Sequence, residues 1–197
     1  MSVFIPWTRV ADFTVRPRLF SGNQEGVLGG EDLPIPRMGD RFVADFLTSQ
    51  LRQDAQSRDL IALLMEATTA GALIELRVPN RPKPIGSGIV ADGAGQAGSV
   101  INLRGAYPNT EFVRGRFFSI LHSGVHHVYM VRGRVMAGAD GRVALPIWPM
   151  LRFLTEDADV CHFDQPMIEG QLIGFDKGAG FERNRTKPLT FTVQERK

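Results

Sequence analysis

The sequence predicts a mainly β protein with one flanking α-helix, built as a β-sandwich or barrel-like body plus a β-hairpin meander. Three observations carry this. From Val100 onward the chain is a succession of short β-branched and aromatic runs, a single stretch over 53–70 switches to a helical period, and 21 glycines and 12 prolines interrupt the rest. With 197 residues, one domain, or a domain with a smaller appendage, buries roughly 70% of its unfolded surface and needs no staple. The patterning divides into a β-rich body, 1–85 with 175–197, carrying the helix at about 54–70, and a β-meander subdomain over 86–174. The two are also readable as one continuous domain.

Residues 3–20 hold short apolar pieces with Pro6 and Pro17 and suit an edge strand or an extended arm. Residues 21–40 concentrate glycine and proline so heavily that a long loop is expected. Asp40 to Ser49 alternates Phe42, Ala44 and Phe46 against Val43, Asp45 and Leu47, a strand with one strongly apolar face. From Gln53 to Ala70, Leu60, Leu63, Leu64 and Ala67 recur at helical spacing; Asp54 or Ser57 is the expected N-cap and Gly71 the C-terminal stop. ALIELRVP is a strand ending at Pro79, and Asn80-Arg81-Pro82-Lys83-Pro84 a stiff connector.

The string GAGQAG, residues 93–98, matches the G-x-G-x-x-G pattern of dinucleotide sites. That pattern works only between a strand and a helix N-terminus whose free N–H groups meet the phosphate. Here Pro84–Asp92 is broken by glycine and Ser99–Gly105 is short and β-branched, so the glycines are expected to turn a loop between extended segments and to hold no cofactor. VINLRG, RFFSILH, HHVYMVRGRVMA and RVALPIW then form the meander, with turns at Ser123-Gly124 and Asp140-Gly141. Leu189 to Val193 is a last strand that closes the sheet, and 174–187 a polar, glycine-bearing loop.

A formal net charge of +2 does not indicate a nucleic-acid binder driven by counterion release. The single cysteine, Cys161, fits a reducing compartment and a buried apolar role. The first twenty residues lack a continuous signal-peptide core, and no stretch approaches the roughly eighteen apolar residues of a membrane span. Synthesis in the cytoplasm and a soluble product are expected.

His122, His126 and His162, with His127 adjacent, are the residues that could ligate zinc. The zinc-protease spacing and its glutamate are missing, and adjacent His126 and His127 point to opposite faces of a strand, so only one can join His122. Surface or hydrogen-bonded strand histidines are the favoured reading. Ser123 lacks a G-x-S-x-G elbow, and Cys161 and His162 face apart. Glu156, Asp157 and Asp159 read as a solvated turn, Arg183, Arg185 and Lys187 as a solvated basic loop, and Trp148 as a packing anchor. No catalytic residue is expected.

The order RMGDRFVADF, a helix ending in glycine, ALIELRVP, SVINLRGAYPN, RGRFFSI, VYMV, ADGRVALPIWPMLR and EDADV resembles small tail-tip proteins of long-tailed, siphovirus-like phages and prophages. The resemblance spans roughly 35–193. Arg116 departs from it, since an acidic residue is common there, as does the longer loop before Pro34. What it implies is a structural, non-enzymatic virion component, similar to distal tail or minor tail proteins, that forms a ring joining the tail tube to the baseplate or receptor-binding apparatus. It further implies self-association as a hexamer, contacts with tube, tape-measure and hub proteins, DNA passing through the ring without specific binding, and assembly in the host cytoplasm.

Rings of this kind form when edge strands of neighbouring copies pair. Arg41, Phe42, Val43, Asp45, Leu47, Leu189, Phe191 and Val193 are the expected assembly residues, and loops 21–40 and 174–187 are candidates to order on assembly. Two other classes remain: a carbohydrate- or receptor-binding β-module, which requires Trp148, Tyr129 and Tyr107 on one exposed surface, and a metal-dependent enzyme built on the imidazoles.

Overall fold

Short β-branched and aromatic runs, each cut by a turn former, become eighteen strands around one helix in the computed structural model, which describes residues 2–24, 30–31, 33–35, 37–52, 54–78, 83–183 and 185–196. In chain order, β1 (Val3–Phe4), β2 (Val10–Arg18), β3 (Gly22–Gln24), β4 (Leu33–Ile35), β5 (Arg41–Thr48) and β6 (Leu51–Arg52) lead into α1 (Ala55–Ala70). β7 (Ala72–Glu75), β8 (Gly86–Ala91), β9 (Val100–Ala106), β10 (Glu111–Phe112), β11 (Phe117–His122) and β12 (Val125–Val131) follow. The chain ends through β13 (Val135–Met136), β14 (Val143–Trp148), β15 (Val160–His162), β16 (Met167–Ile173), β17 (Arg185–Thr186) and β18 (Thr190–Glu195).

Two assemblies result. A six-stranded sheet runs β1-β7-β16-β18-β5-β2, and a closed barrel runs β11-β12-β14-β9-β8-β15. The expected mainly β architecture with one helix is therefore what forms, but its pairing is less local than a meander. Only β8–β9 and β11–β12 join as neighbouring strands of the barrel; β9 pairs with β14 instead, Leu103 facing Val143 and Ile101 facing Leu145. Closure leaves the barrel with no open edge, which a linear meander would have at both ends. The long run HHVYMVRGRVMA breaks at Arg132–Arg134, and its second piece, β13, pairs with β10.

The boundary expected near 174 moves as well. β16 belongs to the sheet, paired with β7 on one side and β18 on the other, so the barrel segment ends at His162. β18 does not close the sheet but lies inside it, between β16 and β5. The expected loop 21–40 contains the β3–β4 hairpin, whose root Asp40 clamps by accepting from the Phe20 and Ser21 amides and the Ser21 hydroxyl. Burial alone would raise the Asp40 pKa, but those donors outweigh it and the carboxyl sits below its ordinary value. The loop 174–187 is pinned by β17 to β6, while residues 79–82, including most of the predicted connector, lie outside the described residues.

The helix begins where its chemistry says it should. Asp54 accepts the Ser57 amide at 2.8 Å, and the Gly71 amide donates to the Ala67 carbonyl at 2.9 Å. Its buried stripe is Ser57, Leu60, Ile61, Leu64 and Ala67, a face rotated from the expected one so that Leu63 lies at its flank. Gln53 lies outside the described residues. This face joins Phe42, Ala44, Phe46, Ile74, Ile168, Phe191 and Val193 in the sheet core. A second core fills the barrel with Ile101, Leu103, Phe112, Phe118, Ile120, Tyr129, Leu145, Ile147 and Cys161. The two meet where β5 and β16 begin and β18 ends, through Phe117, Val128, Met130 and Trp148. Phe42 packs edge-on against both Phe117 and Trp148, so Trp148 is a packing anchor.

Gly170 sits opposite Glu195 where β16 approaches β18, and a Cβ there would lie inside contact distance of the Gln194 carbonyl. Gly170→Ala is therefore expected to lower stability by about 1–3 kcal/mol through overpacking, read as a fall in the thermal unfolding midpoint.

Candidate functional site: the junction and the open edge

The glycine string joins antiparallel β8 and β9, with positive φ at Gly93, Gly95 and Gly98. Its amides are already used inside the chain. Gly93 N–H donates to Asp157, Gly95 N–H to the Thr155 carbonyl and Gln96 N–H to the Thr155 hydroxyl, while the Gln96 side-chain amide donates to the Asp92, Gly93 and Asn102 carbonyls. Arg104 neutralises Asp157 at 2.7 Å. The groups that a pyrophosphate would need thus hold a carboxylate and a threonine of this chain, which makes the segment a self-filled turn.

The histidines separate into two sites. The two-residue turn at Ser123-Gly124 pairs His122 with Val125 and Ile120 with His127, so His122 and His127 share the inner face of the barrel. Both rings lie against Phe153, with centroids at 4.1 and 4.7 Å. His122 Nδ1 donates to Asp159 at 2.9 Å, and Asp159 also accepts the Glu156 amide; Asp159 is a buried tie rather than part of a solvated turn. His126 and His162 meet on the outer wall, ring centroids 5.2 Å apart, beside Ser119, which also accepts the Met167 amide. His122, His126 and His162 therefore do not converge, and no group of three or more metal-ligating side chains is found among the described residues. Cys161 is buried in the barrel core, where burial pushes its thiol pKa up.

The residues that the sequence did not flag lie at the junction. β12 pairs with β14 only at Met130 and Val131, so its amides at 126 and 128 face a gap where β14 has turned away. Two sheet carboxylates fill it: Glu169 accepts the His126 amide at 2.9 Å, and Glu195 accepts the Val128 amide at 2.7 Å. Glu195 also accepts the Phe42 amide at 2.7 Å and Arg152 Nη2 at 2.8 Å, with both of these side chains buried. Burial would lower the Arg152 pKa, yet the Glu195 charge and the Tyr129 hydroxyl raise it, so the guanidinium remains charged. The signal was present. Glu195 continues the inward series Phe191, Val193, where an unpaired carboxylate has no business.

Arg116 also has a place. It donates to the Lys83 and Phe163 carbonyls and pairs with Asp164, strapping the chain entering the barrel to the chain leaving it. Arg185 donates to Gln50 at the foot of the body.

The expected assembly strands are interior ones. Arg41, Phe42, Val43, Leu189, Phe191 and Val193 are buried within the chain, and only Asp45 and Leu47 reach solvent. β5 and β18 have a strand on each side, so neither offers backbone to a neighbour. The six-stranded sheet ends at β1, two residues long, and at β2, nine residues long, so among the described residues its extended free edge is that of β2. The Phe42 and Thr48 amides of β5 turn toward β18, so alternation turns Val43 and Asp45 toward Arg16 and Thr14 of β2. Phe13 and Val15 then direct their backbone groups outward, and Pro17, with no N–H to offer, holds the third outward position. Beside this edge lies a groove of about 440 Å³ lined by Trp7, Val10, Phe13, Val15, Val78 and Phe117. The β3–β4 arm exposes Leu33 and Ile35, with Leu19 and Met38 exposed at its root.

Trp148, Tyr129 and Tyr107 form no common platform, because Tyr129 is fully buried. No helix among the described residues is long and apolar enough to cross a membrane. Comparison with protein-family models and with curated proteins returns no match.

Replacing Glu195 by Ala leaves two amides and a guanidinium without their acceptor in a buried setting. The expected loss is about 3–5 kcal/mol, as for breaking a buried pair on one side, measured by urea unfolding. An unchanged midpoint would show that the junction does not depend on it.

Proposed function

We propose that the chain is a structural subunit of a phage tail, a distal-tail-like ring component at the tail tip that joins the tube to the baseplate or receptor-binding apparatus. The reading starts from the resemblance of segment order, and the observation that carries it further is the open edge of β2, a nine-residue strand with a groove beside it. Soluble monomers usually blunt such edges. Here Pro17 and the bulge at Ala11 blunt only the ends.

The arm and the edge are different surfaces, so a contact between them on two copies is heterologous and generates a ring when the rotation per copy closes. Leu33 and Ile35 of one copy supply apolar side chains for the groove at Trp7, Phe13 and Phe117 of the next. A six-fold ring in the virion tail, with tube, tape-measure and hub proteins as neighbours and DNA crossing its centre, belongs to this proposal. Its work is burial and backbone pairing, without turnover of a substrate.

Negative-stain images and light scattering of the purified chain are expected to show closed rings. Val15→Pro, which removes an outward N–H, and Leu33→Glu, on the exposed arm, are each expected to yield monomers with an unchanged circular dichroism spectrum. Strictly monomeric wild-type protein at high concentration would sink the reading.

A further inference from the structure

Sheet core and barrel core are separate clusters that touch only through a few side chains. His126 and His162 lie on the barrel wall that faces the sheet, and His127 lies inside the barrel next to the Arg152–Glu195 link. On the outer wall of the barrel, His126 and His162 stand side by side, faced by Ser119 of β11 and by Met167 and Glu169 of β16. On the inner face, His127 is faced by Phe153, His122 and Arg152, with Tyr129 and Glu195 beyond the guanidinium and Asp159 bound to His122. The carboxylates near them are already engaged. Glu195 has both oxygens occupied, Glu169 holds the His126 amide, and Asp159 holds His122. The Nε and Nη1 atoms of Arg152 are buried with no hydrogen-bond partner among the described residues, so no acceptor beside the guanidinium is left over for a further donor.

We propose that this junction is an acid-operated hinge, in which protonation of His126, His127 and His162 releases the barrel wall from the sheet while barrel and sheet each keep their strands. Closed, the site resists protons. Burial, followed by the Arg152 charge, lowers the His127 pKa to about 3; burial, followed by His162, lowers that of His126; burial lowers that of His162. Opened to water, each imidazole returns to an ordinary pKa of about 6.5.

The sign follows from linkage. The open form binds protons that the closed form refuses, so the closed junction is fully favoured above about pH 6.5 and loses ground as pH falls below it. Each histidine contributes up to about tenfold per pH unit; His127, with its closed value of about 3, weights the open form by about thirtyfold at pH 5, and His126 and His162 add to it in the same direction. Carboxylates with lowered pKa values, such as Asp40 and Asp45, act in the same direction but only in a more acidic window, below their ordinary range.

The test uses the full chain with Trp7→Phe, which leaves Trp148, in contact with Phe42 at the junction, as the only tryptophan. Trp148 emission, far-ultraviolet circular dichroism and amide exchange at His126 and Val128 are followed from pH 7.5 to 4. Emission is expected to shift, and both amides to lose at least tenfold protection per pH unit, at a pH where the dichroism is unchanged. His127→Gln and the pair His126→Gln with His162→Gln are expected to make the transition shallower and move it to lower pH. Emission and dichroism changing together would mean acid unfolding of the whole chain and would overturn the hinge, as would an unmoved Trp148 at pH 4 or histidine variants titrating like the parent. Should the variants not fold, histidine ring resonances of the parent settle it: three imidazoles titrating independently of Trp148 overturn the proposal.

Discussion

One carboxylate organises the place where the two halves of this molecule meet. Glu195 stands at the end of β18 and holds the first strand residue after Arg41, a barrel amide and a barrel arginine at once. Its burial is costly in isolation, since a bare carboxylate in a low dielectric loses its hydration. Three charge-assisted hydrogen bonds offset that cost, and each comes from a different part of the chain. An apolar residue could pack there, but it could not accept the Val128 amide that β14 leaves unpaired when it turns away at Trp148, nor the Phe42 amide of β5. The arrangement therefore fixes the register and orientation of barrel on sheet, a use of buried polar groups that goes beyond net stability.

The division of edges follows from the same construction. The barrel closes on itself and has no strand to offer, with β15 and β8 meeting through Val160 and Val90. The sheet cannot close, because α1 and the barrel occupy one side of its core and the strand order ends at β1 and β2. β1 is two residues long. Among the described residues, the long strand with one side of its backbone left unpaired in the sheet is therefore β2, and the interior strands β5 and β18 contribute rigidity beside it rather than backbone for pairing.

Local chemistry was legible in the sequence wherever one short segment carried it. The Phe42, Ala44, Phe46 alternation specified the apolar face of β5, Asp54 and Gly71 bounded the helix, and the flanks of the glycine string identified a turn. What failed needed distant partners. Nothing near Leu103 announces Val143, and the rotation of α1 that buries Ile61 and Ser57 ahead of Leu63 is set by the sheet beneath it. The histidine faces were half legible: neighbours oppose each other in a strand, but the two-residue turn also fixed that His127, and not His126, joins His122. The hairpin inside the glycine- and proline-rich loop escaped notice because its order comes from the clamp at its root rather than from its own composition.

That clamp couples two features that otherwise look unrelated. Asp40, on the outgoing side of the root of the arm, holds Phe20 and Ser21 on the incoming side, and the next residues, Arg41 and Phe42, are tied to Glu195 through a carbonyl and a carboxylate. Arm, clamp, β5 and junction are thus connected in mechanical series. A load applied to the arm passes through the Asp40 hydrogen bonds into β5 and from there to Glu195, so traction from outside is carried to the seam between barrel and sheet.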